Sequence, residues 1–469
     1  MTSTTGTTGT AVDPAADPAP AALRGLCGGA VHLPGEPGYD AARSAWNLAV
    51  DQRPAAVAYP ATTAEVADVV RAAAAAGLRV APQGTGHNAG PLGALDGVVL
   101  MRTDALTGVT VDPVRQRATV GAGVLWLEVV EEAARHGVTV LHGSSPDVGV
   151  VGYSLGGGMG WYARALGLQT HAITAAEVVT ADGSVLDVDD HHRPDLLWAL
   201  RGGGGNVGIV TRLEFRTFPF TTAFAGMLLW DLTRADEIVR TWARWSATAP
   251  DTVTTAMRLL QVPPLPSLPD WVCGRQLVVV DGAVLADDEA AAEVLAPLRA
   301  LEPEVDTFAR VPTAALVRLH MDPEEPTPAL STTAILDDLP DAAVDALLAA
   351  AGPGSGSALA AVELRQLGGA LARPAPVPAA LPCLDGAYVL FCGGIPLSPE
   401  LVAAAHQGFD AVRSALAPWT SGRSYLNFVE TAGDPSTGFR AADWARLREV
   451  RAAVDPDGLF VANHPVPTD

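Results

Sequence analysis

Three glycine-dense stretches, 84–90 (GTGHNAG), 152–160 (GYSLGGGMG) and 202–208 (GGGGNVG), crowd the first half of a 469-residue chain. Glycine lets backbone amides approach a ligand closely, and clustered amides form concave sites that hold an anion such as a pyrophosphate. One such loop is an ordinary turn. Three in one half point to a single extended ligand lying across a sheet. No GxGxxG opens a helix after a strand with an acid about 20 residues on, which argues against a typical nicotinamide fold. One side chain inside these loops has chemistry of its own. His87, in PQGTGHNAG, is flanked by glycines, and a neutral imidazole nitrogen is a competent nucleophile near neutral pH.

The remaining composition removes whole mechanisms. Every cation other than histidine is arginine, so there is no lysine for a Schiff base or a phosphate loop. The four cysteines (Cys27, Cys273, Cys383, Cys392) include no CxxC pair and no His/Cys cluster at metal spacing. They read as reduced thiols of a cytoplasmic protein, and no metal is expected. A formal charge of −22 repels phosphate backbones and makes nucleic acid a poor partner. No apolar run reaches the roughly 18 residues of a membrane helix. The first 20 or so residues have little to bury and lack the plan of a secretory signal, so a disordered lead is expected. Heavy Ala, Arg and Gly use suggests a GC-rich bacterial genome.

The elements that must position these loops are legible in outline. Thr62-Thr63-Ala64-Glu65 has the capping-box pattern, with Val66, Val69, Val70 and Ala73 at helical spacing and Gly77 as the stop. Strands are expected at 78–81, 98–101 and 138–141, a hairpin over 108–120, a helix over 124–135, and a strand–turn–strand over 176–188. From about 220 to 415, alanine-rich helical stretches (287–301, 338–351) alternate with strand-like runs (276–280, 388–392). Proline-rich 263–269 and 374–382 read as loops. In AVELRQ, alternation puts Glu363 and Arg365 on one face and Leu364 and Gln366 on the other. No cluster surrounds His320 or His406 in the sequence, and both read as ordinary histidines.

Six segments occur in one order: PQGTGHNAG, SSPDVGVVGYSLGGGMGW, VVTADGSVLDV, DLLWALRGGGGNVGIVT, SYLNF and RLREVRAAVDPDGLF. The set resembles the berberine-bridge-enzyme-like FAD-linked oxidases of the vanillyl-alcohol-oxidase/PCMH superfamily, over roughly residues 40–469. The resemblance implies an α+β, two-domain protein. An N-terminal segment (1–39) precedes a PCMH-type FAD-binding domain (40–218). A substrate domain (219–415), an antiparallel sheet covered by helices, follows, and a C-terminal segment (416–469) completes the flavin site.

It also implies residue roles. His87 stands where the family bonds histidine to the flavin 8α carbon, which makes the cofactor covalent 8α-histidyl FAD. Ser145 stands where many relatives carry a cysteine bonded to flavin C6, so a single attachment is expected. Gly84, Thr85, Gly86 and Asn88 in the first turn are cofactor contacts by the same token. So are Ser144, Val148, Gly149 and Gly152, then Gly156, Gly157, Gly158 and Val210, and Asn427 and Asn463 near the C-terminus. Val148 occupies the oxygen-gating position, and valine there resembles the oxygen-reactive members. Tyr153 replaces a histidine near the ribityl chain. Tyr425, in the Y-x-N motif, is the candidate base, although a buried tyrosinate needs a partner to lower its pKa. Glu363 and Tyr388 are further cleft candidates. Residues 380–386 (ALPCLDG) lack the His-Arg pair many relatives have before this strand.

The expected function is hydride transfer from an alcohol, phenol or related group of a secondary-metabolite-type substrate to FAD, with O2 as acceptor giving H2O2. The partners are therefore a small molecule and O2, in a monomer or homodimer. Three alternatives stay open: a carbohydrate (hemiacetal) oxidase, an oxidative cyclase or flavin-oxygen-adduct monooxygenase, and a flavin-binding protein without turnover.

Overall fold

A computed structural model describes residues 18–264 and 271–468. The expected disordered lead falls almost wholly, and the 263–269 loop mostly, outside the described residues. The architecture is α+β, with three sheets among the described residues.

The first sheet has the order Val31–His32, Ala56–Ala58, Val98–Arg102, Arg79–Gln83. Its last three strands run parallel, as a helix crossover demands. That crossover is the helix Thr63–Ala75. Thr62 caps it by accepting from the Glu65 amide, while Glu65 reaches back to Ala61 rather than to Thr62. Val66, Val69, Val70 and Ala73 form its buried stripe. Arg79–Gln83 delivers the first glycine turn directly from its C-terminal end.

The second sheet is antiparallel, in the order Val109–Asp112, Arg117–Gly121, Ile209–Arg216, Ile173–Val179, Val185–Asp189. Both expected hairpins are in it. Residues 138–141 are not a strand. Thr139 exchanges a single pair of backbone bonds with Phe218 and the ladder goes no further. The apolar run there is buried by packing instead, with Val138, Val140 and Leu141 in the main core.

The third sheet has eight antiparallel strands. Its central order is Thr222–Asp231, Gln276–Val284, Val253–Gln261, Ala361–Gln366, Tyr388–Gly394, Leu330–Leu336. Directly opposed residues share a face. One row carries Asp281, Ala256, Arg365, Val389 and Ile335, and its neighbour carries Arg258, Glu363, Phe391 and Thr333. The opposite face carries Met257, Leu364 and Leu390 and is covered by four helices: Ala235–Thr248, Asp288–Arg299, Asp341–Ala351 and Pro399–Leu416. The helix-free face turns toward the glycine turns. Val389 and Ile335 pack there with Met159, Leu381 and Tyr425.

Candidate functional site

The first turn places His87 between three elements. Its Nδ1 lies 2.7 Å from Thr85 Oγ1. Its Nε2 is buried without a hydrogen-bond partner, 3.6 Å from Asp147 Oδ2. The indole of Trp46 stacks on the imidazole, centroids 4.0 Å apart and planes 17° from parallel. Asp147 also accepts from Trp46 Nε1 and from Ser145 Oγ at 3.0 Å. Burial pushes its carboxyl up, but these donors and His87 outweigh it and hold the group below its ordinary value. Ser144 points elsewhere and donates to Asp322 at 3.2 Å.

The second turn is a meeting point for protein as well. A Cβ on Gly156 would sit 1.9 Å from Asn427 Oδ1, on Gly157 2.9 Å from the Tyr425 ring, and on Gly158 2.5 Å from the Tyr153 ring. These three glycines therefore admit the C-terminal segment and Tyr153, a role the sequence reading gave to a ligand alone. Gly152 differs, with nothing within 4 Å of its hypothetical Cβ. Asn427 Nδ2 donates to the Tyr153 carbonyl (3.0 Å) and to the Tyr425 hydroxyl (3.3 Å). Asn88 Nδ2 reaches the Leu426 and Asn427 carbonyls, both at 3.4 Å, tying the first turn to the same segment.

Tyr425 is 1% exposed. Burial raises its pKa above the ordinary phenol value, opposed by Asn427, the Gly158 amide, the Arg365 cation and the Met159 amide. These are the partners the sequence could not supply. Tyr153 is likewise held well above its ordinary value, by burial and by Tyr425, and its hydroxyl has no hydrogen-bond partner among the described residues.

Behind Tyr425 lies a buried charged network on the helix-free sheet face. His320 Nδ1 meets Asp281 Oδ2 at 2.8 Å and Nε2 meets Glu363 Oε2 at 3.0 Å. Glu363 Oε1 accepts from Arg365 Nε at 2.7 Å, and Arg258 donates to Asp281 at 2.6 Å. The Arg365 guanidinium lies 5.3 Å from the Phe428 ring centre and 5.7 Å from that of Trp161. Tyr425 packs edge-on against the same Phe428, at 5.1 Å. Burial lowers the His320 pKa and Asp281 and Glu363 raise it; the net result is about 9. Glu363, conversely, is held below its ordinary value by Arg365 and His320 against the opposing effect of burial.

Two expectations are corrected here. His320 is not an isolated histidine: its partners come from strands 39 and 43 residues away in sequence. Tyr388 does not reach the cleft. It opposes Gln366, on the helix-covered face, where its hydroxyl pairs with Ser246 (2.8 Å) beside Trp242. Alternation from Glu363 and Phe391 requires this. Val210 is a core residue of its strand, 4% exposed. Asn463 bonds only the amide of its neighbour, and it is His464 that reaches the Leu426 carbonyl, at 2.9 Å. Val148 is half-buried against the main core, next to Asp147.

The two turns are rimmed by buried polar atoms without protein partners: His87 Nε2, Asn88 Oδ1, Tyr153 hydroxyl, Ser154 Oγ, both Gln169 amide atoms and Thr170 Oγ1. Gln169 and Thr170 are fully buried, and their amides bind the Gly158 and Gly157 carbonyls. Buried groups left unpaired are expensive, and a long polar ligand satisfies such a row. The donor set fits FAD. Asp147, Trp46, Gln169, Thr170 and the His320 network were missed in the sequence. Only Asp147, inside a quoted motif, carried a signal there.

Residues 54–189 match the family described as FAD binding domain. The chain is 34% identical over 203 residues to (R)-6-hydroxynicotine oxidase of Paenarthrobacter nicotinovorans, covering 43% of this chain and 44% of that protein. It is 34% identical over 236 residues to glucooligosaccharide oxidase of Sarocladium strictum, covering 50% and 43%. These alignments span less than half the length of either relative. Among solved structures, 6-hydroxy-D-nicotine oxidase of Arthrobacter nicotinovorans superposes with TM-score 0.80 at 24% identity, over 94% of this chain and 98% of that one. The berberine-bridge-like protein 1 of Physcomitrella patens gives 0.79 at 22%, over 94% and 97%. Glucooligosaccharide oxidase of Acremonium strictum, bearing 6-S-cysteinyl, 8α-N1-histidyl FAD, gives 0.77 at 22%, over 94% and 97%. At these identities the superpositions establish the fold. Residues 54–189 are an FAD-binding domain, and the chain has the fold of the berberine-bridge-like proteins and of 6-hydroxy-D-nicotine oxidase.

Proposed function

We propose that the chain is an FAD-dependent oxidase in which Tyr425 takes a proton from the substrate while a hydride leaves the adjacent carbon. FAD, when bound, accepts that hydride and passes the electrons to O2, giving H2O2. The observation that carries this reading is the Tyr425 hydroxyl. It is buried, shares Asn427 with Tyr153 on the glycine turn, and is separated from the Arg365 cation by one aromatic ring, Phe428.

The chain's residues divide the work. Asn427 fixes the hydroxyl, and the Gly158 and Met159 amides and Arg365 stabilise negative charge on its oxygen. Glu363 is saturated by His320 and Arg365, so it anchors the cation and is a poor proton acceptor. His87 tethers the cofactor and Ser145, whose hydroxyl is engaged by Asp147, adds no second bond. Val148 leaves O2 a path to the flavin.

Phe391 and Phe428, 5.6 Å apart, give the substrate side an aromatic face suited to an alcohol or phenol on a ring system. The same rings stack on a pyranose, and the names of the oligosaccharide oxidases among the relatives favour a free sugar as the second reading. Anaerobic mixing with aromatic alcohols, phenols and free sugars tests both. Bleaching of the flavin by one class, with stoichiometric H2O2 on readmitting air, supports that class. No bleaching across the panel contradicts both.

A further inference from the structure

Asp147 has no assigned part in binding or turnover, yet it is the carboxylate nearest the tethering histidine. Trp46 Nε1 and Ser145 Oγ hold its two oxygens in place. Its Oδ2 faces His87 Nε2, 3.6 Å away, and that nitrogen is buried with no hydrogen-bond partner. Trp46 fixes the ring from its face, and Thr85 Oγ1 engages the other nitrogen, Nδ1. A carboxylate on the Nε2 side favours the tautomer with the proton there, which leaves a lone pair on Nδ1.

We infer that Asp147 is the positioning residue for flavin attachment: it takes the Nε2 proton of His87 as Nδ1 bonds to the flavin 8α carbon. The inference rests on the reading that His87 is the tether. The step balances with O2 as oxidant. An Nδ1–C8α bond forms, and a C–H of the 8α methyl and the Nε2–H of the imidazole break. The two electrons released stay on the flavin until O2 takes them, with two protons, to give H2O2. The ring would otherwise pass through an imidazolium whose Nε2 is buried, and a carboxylate at this distance stabilises that charge. Thr85 gives up its contact to Nδ1 by rotating about χ1.

The test is a time course of attachment after adding FAD to flavin-free full-length protein, read as flavin retained on the acid-precipitated chain. Flavin co-eluting with the native protein serves as the control for folding and binding. Asp147→Asn, nearly isosteric, is expected to bind flavin but to attach it about a hundredfold more slowly, the usual size of one proton-transfer partner. Asp147→Ala is expected to be equally slow and to be accelerated by added formate, which leaves the wild type and His87→Ala unaffected. A merely structural role would not respond to formate. Attachment in Asp147→Asn at the wild-type rate, or a slow Asp147→Ala that formate does not help, overturns the inference while the tether stands. A wild-type chain that releases all its flavin in acid overturns the tether, and the inference with it.

Discussion

Trp46 lies flat on His87, with ring centroids 4.0 Å apart, and its Nε1 donates to the carboxylate that faces the same imidazole. One side chain outside the glycine turn thus sets both the plane of the histidine and the position of Asp147. Trp46→Phe keeps the stack and loses the donor, whereas Trp46→Ala loses both. The acid-stable flavin fraction should therefore fall more in Trp46→Ala than in Trp46→Phe, with total bound flavin similar in the two. An equal fraction in both variants and wild type would show that the stack does not hold the histidine.

Tyr425→Phe should keep its flavin and lose about 10²–10⁴-fold in the rate of flavin reduction by substrate. The pH profile carries the sign. Burial places the Tyr425 pKa above its ordinary value, so the phenolate fraction, and with it the reduction rate, should still be rising with pH at the alkaline end of the stable range. Stopped-flow reduction across pH measures this. A rate independent of pH in the wild type, or unchanged in the variant, removes Tyr425 from proton transfer.

The buried network predicts a stability profile. His320 is raised from about 6.5 to about 9 by Asp281 and Glu363, against burial and Arg258, with Asp322 a lesser contributor. A group that binds its proton more tightly when folded stabilises the fold fully below its unfolded pKa and stops doing so as pH passes its folded one. Unfolding free energy from urea titration should therefore decline between about pH 6.5 and 9, by up to a few kcal/mol. His320→Gln should be less stable at pH 6 and lack that decline. A wild-type stability flat over this window would contradict a charged His320.

Two glycines four residues apart, Gly152 and Gly156, should respond oppositely. Gly156→Ala puts a methyl 1.9 Å from Asn427 Oδ1 and must push the C-terminal segment away, lowering the melting temperature and the activity. Gly152→Ala meets no protein atom within 4 Å and lies in the helix Val150–Leu155, so the fold should tolerate it. Flavin content should fall in Gly152→Ala if that open side belongs to the cofactor. Unaltered flavin content there would place the cofactor elsewhere along the turn.

What the sequence made legible follows from where the information sits. The capped helix at Thr63–Ala75, the hairpins and the alternation of Glu363 and Arg365 are local patterns, and each was readable from a few neighbouring residues. The segment 138–141 misleads because an apolar run of that length looks the same in a strand and in a packed irregular stretch. The His320 network was invisible because its members lie on separate strands and meet only through the register of the sheet. Tyr388 was misplaced because the face toward the cleft was not fixed until Glu363 and Phe391 fixed it. The glycines of the second turn were noticed, but part of their purpose, making room for Tyr425 and Asn427, depends on a segment some 270 residues later.

The most direct test of the central claim is acid precipitation of the purified protein followed by mass mapping of its peptides. The account predicts a yellow pellet, with the mass of FAD on the peptide that contains His87 and no link at Ser145. A colourless pellet with all flavin in the supernatant, or flavin mass on any other residue, would contradict it.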